Sequence, residues 1–183
     1  MKLRLCVAVL VGSSAFFPSA SAQQPQPPGV SEALMNIASQ PATHTSVVFD
    51  RDMMQSLLNN QALASLNNIT IESYRYREPA FYTPEAMSSL IVSYDRAGWH
   101  HLVNANVSPG ESASPQKPLT DMWLHFHGTD IDGCTVVIRA IKQMNVIEVT
   151  GLFRPLDLVK LSGHFGIPKV DPSAVMVPAP PGH

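Results

Sequence analysis

The sequence predicts an α+β fold, a two-layer sandwich with helices on one face of a mainly antiparallel sheet of four to five strands. Three observations lead there. Strand-like runs follow one another with short connections at residues 121–127, 134–141 and 145–153. Helix signals stand before and after this block, at residues 83–96 and 155–162. Finally, consecutive strands joined by short turns pair antiparallel, and helices that flank such a block cover its apolar face.

The N-terminus is set aside before any fold argument. Lys2 and Arg4 precede an apolar run at residues 5–17, which is too short to span a bilayer. Ala20-Ser21-Ala22 is a small-residue cleavage site, so residues 1–22 are predicted to be a signal peptide and the mature chain to begin at Gln23. Cys6 lies inside the apolar run, and no cysteine follows directly after it. The expectation is a periplasmic or secreted protein without a lipid anchor and without stable membrane insertion after cleavage.

Residues 23–44 read as a proline-rich leader, beginning QQPQPPG, with a short helix near 31–39. The domain proper is predicted over residues 45–168. Residues 45–50 are apolar and lead to Asp50, a side chain suited to cap a helix carrying Met54, Leu57 and Leu58. A second helical piece is expected at 61–66. Residues 68–77, NITIESYRYR, alternate with period two: Ile69 and Ile71 face one side, and Thr70, Glu72, Tyr74 and Tyr76 the other. Thr83-Pro84-Glu85 then marks a helix start, because Thr can cap, Pro suits the first turn and Glu meets the positive dipole end. Met87, Leu90, Ile91 and Tyr94 fall on one face of that helix, and Gly98 ends it.

Residues 99–107 read as a strand and 108–118, SPGESASPQKP, as a mobile loop. In the strand at 121–127, Met122, Leu124 and Phe126 face the core, which leaves Trp123, His125 and His127 on the opposite, wetter side. Gly128 to Gly133 suits a hairpin connection. After the last strand, Pro155, Asp157 and Gly163 bracket a helix. Residues 169–183 are proline-rich, without periodicity, and are expected to form a disordered tail.

Composition excludes some functions. Of 12 Lys and Arg, Lys2 and Arg4 leave with the signal peptide, so 10 basic residues face 14 acidic ones and the net charge is near −4. Without a basic cluster, nucleic acid is not the expected partner. Of the 2 cysteines, Cys134 alone remains in the mature chain. It cannot form an intramolecular disulfide, and in CTVVIRAI it reads as a small buried hydrophobe.

Resemblance adds to this reading. The stretches LNNITIESYRY, YTPEAMSSLIVSYDRAGWHHLV and DGCTVVIRAIKQMNVIEVTGLFRPLDLVKLSGHFGIP occur in an order similar to that of the DUF4252 family, small exported bacterial domains of unknown function. The similarity covers roughly residues 47–168. It implies an accessory envelope protein, with a link to extracytoplasmic sigma-factor systems, and carries over no catalytic residue.

The candidates for chemistry are few. His125 and His127 supply two imidazoles at i and i+2, whereas a zinc site needs three or four ligands. Asp130, Asp132 and Gly133 suggest a calcium loop, but its twelfth position is Ile141 where a glutamate is required. No G-x-S-x-G nucleophile turn occurs. Neither a catalytic constellation nor a cofactor is expected. The predicted function is therefore a non-enzymatic envelope domain that binds a protein partner, with Tyr74, Tyr76, Trp123 and Arg139 as its interaction surface. Aromatics and arginine are enriched at protein contacts, although strands favour Tyr and Trp on ordinary surfaces too. The alternative is a periplasmic metal- or small-molecule-binding protein that uses the His125/His127 face.

Overall fold

The computed structural model describes residues 30–58, 65–103, 108–167 and 169. The signal peptide with its Ala22/Gln23 junction, residues 23–29, residues 61–64 of the helical piece expected at 61–66, residues 104–107 of the strand expected at 99–107, and all but residue 169 of the tail lie outside the described residues. The expected helical piece does not reach Leu66, which opens a strand. In chain order the elements are α1 (Val30–Met35), β1 (Ala42–Asp50), α2 (Arg51–Leu58), β2 (Leu66–Tyr76), α3 (Pro84–Arg96), β3 (His100–Val103), α4 (Pro109–Ala113), β4 (Leu119–His127), β5 (Asp130–Arg139), β6 (Gln143–Phe153) and α5 (Pro155–Leu161).

The strands form one antiparallel sheet in the order β1-β2-β6-β5-β4-β3. Among the described residues it has six strands rather than four to five. The extra strand is β1, whose residues 45–50 read from sequence only as an apolar lead-in. The β4–β5 connection is the expected hairpin, but tighter: His127 pairs with Asp130, so Gly128 and Thr129 alone make the turn, with Gly128 at φ 66°.

Local signals set the helix ends. Asp50 Oδ1 accepts from the Met53 backbone N–H at 2.9 Å and so caps α2. Thr83 stands at the N-cap of α3 but makes no side-chain capping bond, so Pro84 in the first turn carries the start signal, and Gly98 follows with φ 81°. At α5 the buried Asp157 accepts from the Arg154 backbone N–H and from the Arg154 and Lys160 side chains. Burial alone would raise that carboxyl, but these donors hold it below the usual carboxylate range. The loop expected at 108–118 contains α4, because Ser108 Oγ accepts from the Glu111 N–H and supplies a cap.

Helices cover both faces of the sheet, not one. On one face Leu34 of α1 and Met87, Leu90 and Tyr94 of α3 pack with Tyr74, Tyr76, Trp123, Val137, Met144 and Val146. On the other, Met54 of α2 and Leu158 and Leu161 of α5 pack with Ile69, Met122, Leu124, Val136, Ile147 and Val149. Because side chains alternate along a strand, both sets of strand residues become core. The two-layer arrangement expected from sequence is thereby corrected.

Candidate functional site

Strand β1 is the least covered part of the sheet. Its sequence, ATHTSVVFD, is rich in the β-branched residues Thr43, Thr45, Val47 and Val48, which favour extended backbone. One edge pairs with β2 over all nine residues, from Ala42↔Tyr76 to Asp50↔Asn68. The other edge has no strand neighbour among the described residues. Every residue of β1 is exposed except Phe49, which is half-buried against Phe165 with ring centroids 5.3 Å apart. Val47 and Val48, on opposite faces, are 50% and 52% exposed.

Protein edges are usually blunted by lysine, proline, bulges or short length. β1 has none of these: it is nine residues long, pairs without a register shift, and carries no Lys, Arg or Pro. At about 3.4 Å per residue it presents a backbone edge about 30 Å long. Among the described residues the opposite edge strand, β3, has four residues.

Beneath β1 lies a polar group built from alternate residues of β1, β2 and β6. The His44 ring stacks on Tyr74 at 4.6 Å, and its Nε2 stands 3.7 Å from Glu72 Oε2. Tyr74 Oη donates to the same oxygen at 2.8 Å. Burial, and then the hydrogen bond to Glu72, push the Tyr74 phenol well above its ordinary value. Glu148 pairs with Thr70 and with Thr135, so it shares the face of Glu72 one pleat away. Burial first, and then the Glu72 charge, raise its carboxyl to about 7.

The four residues expected to form an open interaction surface are buried. Tyr74 is 4% exposed, Tyr76 6%, Trp123 0% and Arg139 3%. Helices α1 and α3 cover the face on which they lie. Trp123 is sandwiched between Tyr94 and His101, with ring centroids 4.6 Å away on each side. Tyr76 meets Tyr82 edge-on at 6.2 Å, and burial pushes its phenol up to about 12. Arg139 donates through Nε and Nη2 to Asp121 Oδ2 at 3.2 and 2.9 Å and through Nη1 to the Ser112 carbonyl at 2.6 Å. His101 Nε2 adds a contact of 3.3 Å to Asp121 Oδ1. Burial works to raise Asp121, but the His101 and Arg139 contacts outweigh it and hold the carboxyl below its ordinary range. This is an internal ion pair that ties β4, β5 and α4 together.

His125 is also committed to a partner: its Nδ1 lies 2.5 Å from Asp132 Oδ1, and its ring lies against Trp99 at 5.4 Å. His127 is exposed at the hairpin, beyond a register shift between His125 and Phe126. Among the described residues no group of three or more His, Cys, Asp or Glu side chains is arranged to hold a metal ion. Asp130 and Asp132 are strand residues of β5. Cys134 is buried, and burial pushes its thiol up to about 12, so the sulfur stays protonated. No helix among the described residues is long and apolar enough to cross a membrane.

No family model matches this chain. No curated protein and no solved structure matches it either. β1 is therefore identified as the candidate site on geometry alone. A sequence signal for it did exist: β-branched residues at 43, 45, 47 and 48 directly after Pro41.

Proposed function

We propose that this chain is an exported, non-enzymatic bacterial envelope domain of the DUF4252 type, and that it works by binding another protein chain along β1. The observation that carries this reading is the unguarded nine-residue edge, exposed along its length. An edge of this kind binds by strand addition: an incoming strand supplies backbone hydrogen bonds, and alternate side chains supply selectivity. The order of charged start, apolar run and Ala20-Ser21-Ala22 supports export. The relocated site suits the same function class as the surface first expected, with contact made through backbone instead of rings.

A photo-crosslinking residue placed at Val47 tests the contact in cells, with Leu156 as control because it is equally exposed, at 56%, on α5. The expected result is a protein adduct at Val47 and none at Leu156. Equal yields at the two positions, or no adduct at Val47, overturn the reading. N-terminal sequencing of the envelope fraction checks the export half, with Gln23 expected as the first residue.

A further inference from the structure

We infer that the strand which pairs with β1 is β1 of a second copy, running antiparallel about a two-fold axis at Ser46 and joining two sheets into one. This rests on the reading of β1 as the contact edge and names its occupant. A closed two-fold contact requires a surface that complements itself. β1 meets that requirement at one register. With the axis at Ser46, the midpoint of Ala42–Asp50, every residue of the strand finds a partner. Moving the axis one residue either way leaves residues at an end unpaired.

Charge favours the same arrangement. The only acidic residue of the strand is Asp50, at its C-terminal end, and no basic residue other than His44 is present. Antiparallel pairing about Ser46 sets Asp50 opposite the partner subunit's Ala42, so the two aspartates stand a strand length apart. Parallel pairing would instead set them side by side, and like charges directly opposite are unfavourable. Side-chain chemistry also fits. Val47 falls opposite the partner subunit's Thr45, a β-branched pair, and Val48 opposite the partner subunit's His44. Each face thereby covers a valine that is half exposed in the single chain. His44 already rests on Tyr74, so the seam continues the face that carries Glu72. The contact is narrow, so the dimer forms on concentration and dissociates on dilution.

Three variants of the full mature chain test this. In Ser46→Cys the two thiols meet across the axis, where opposed Cα atoms lie about 4.5–5.5 Å apart, within disulfide reach. In Val48→Cys the two copies sit two residues either side of the axis, about 14 Å apart along the strand, and out of reach. The buried Cys134 does not compete. Mild oxidation of concentrated protein should therefore link Ser46→Cys nearly completely and leave Val48→Cys without a disulfide, as read on a denaturing gel. The third variant, Thr45→Lys with Val47→Lys, should remain folded by circular dichroism and sediment as a monomer at concentrations up to a few hundred micromolar, where the unsubstituted protein sediments as a dimer. An unsubstituted protein that stays monomeric throughout that range overturns the proposal, as does equal crosslinking at positions 46 and 48. If the dimer fails but Val47 still forms an adduct with a different protein, the edge reading stands and the second copy is excluded. If Val47 forms no adduct either, both fall.

Discussion

Replacing Glu148 by glutamine should stabilise the protein at alkaline pH and leave it unchanged at acid pH. Glu148 lies on the face covered by α3, one pleat from Glu72, and its carboxyl is raised from an ordinary value of 4.5 to about 7 by burial and by the Glu72 charge. An unfolded glutamate loses its proton near 4.5, whereas the folded chain keeps it to about 7. Below 4.5 both states are protonated and Glu148 costs nothing. As the pH rises from 4.5 to about 7 the unfolded chain releases this proton while the folded chain still holds it, so stability falls across that window and levels off above 7, where the folded carboxylate too is charged beside Glu72. The difference between 4.5 and about 7 corresponds to about 3 kcal/mol at pH 8.5. For a chain of this size that is roughly 6–12 °C in melting temperature. Glutamine keeps the shape and removes the charge. Thermal melts of both proteins from pH 5 to 8.5 measure the effect, and the comparison cancels every titration the two share. Parallel melting curves across this range, or a variant that is less stable at pH 8.5, would refute the placement of Glu148 beside Glu72 in a buried setting.

Other substitutions check the core and the internal ion pair. Trp123→Ala removes a fully buried ring from between Tyr94 and His101 and should cost about 3–5 kcal/mol in chemical denaturation, where an exposed position would cost about 0.5 or less. Asp121→Asn strips the carboxylate from Arg139 and should cost about 3–5 kcal/mol at pH 7, measured by urea titration. Because the Asp121 carboxyl is held below its ordinary value, its contribution is present above the usual carboxylate range and is lost as the pH falls through it, so the cost of the asparagine should shrink toward acid. Gly151→Ala should destabilise markedly in the same titration, because a Cβ there would stand 2.5 Å from the Ser65 carbonyl oxygen at a φ of 128°.

The parts of the fold that were legible are those fixed by local chemistry. Thr83-Pro84-Glu85 marked the start of α3, and Met87, Leu90 and Tyr94 gave its buried face. Asp50 capped α2 as read, and the strands at 121–127, 134–141 and 145–153 appear with their ends shifted by a few residues. What could not be read was coverage of the second sheet face. Tyr74, Tyr76 and Trp123 alternate with residues of an obvious core face, and amphipathic rings suit a wet surface as well as a buried one. Their burial is set by partners from elements distant in sequence, such as α3, whose Tyr94 stacks on Trp123, and on the same face Asp121 is paired with Arg139 across strands, neither of which period-two patterns encode. β1 was missed for the opposite reason. Its Thr, Ser and His residues are exposed on both faces, so the strand has no apolar alternation to announce it. The candidate site was thus the element with the weakest periodic signal.

Amide hydrogen exchange of the segment 42–50, followed by mass spectrometry from dilute to concentrated protein, bears most directly on β1 as a pairing edge. In an edge strand alternate amides bond the neighbouring strand, and the rest face solvent. About half of the β1 amides should therefore exchange rapidly in dilute protein and become protected on concentration, while β4 and β5 do not change. Exchange in 42–50 that is unaffected by association, or already slow in the dilute monomer, would contradict the account.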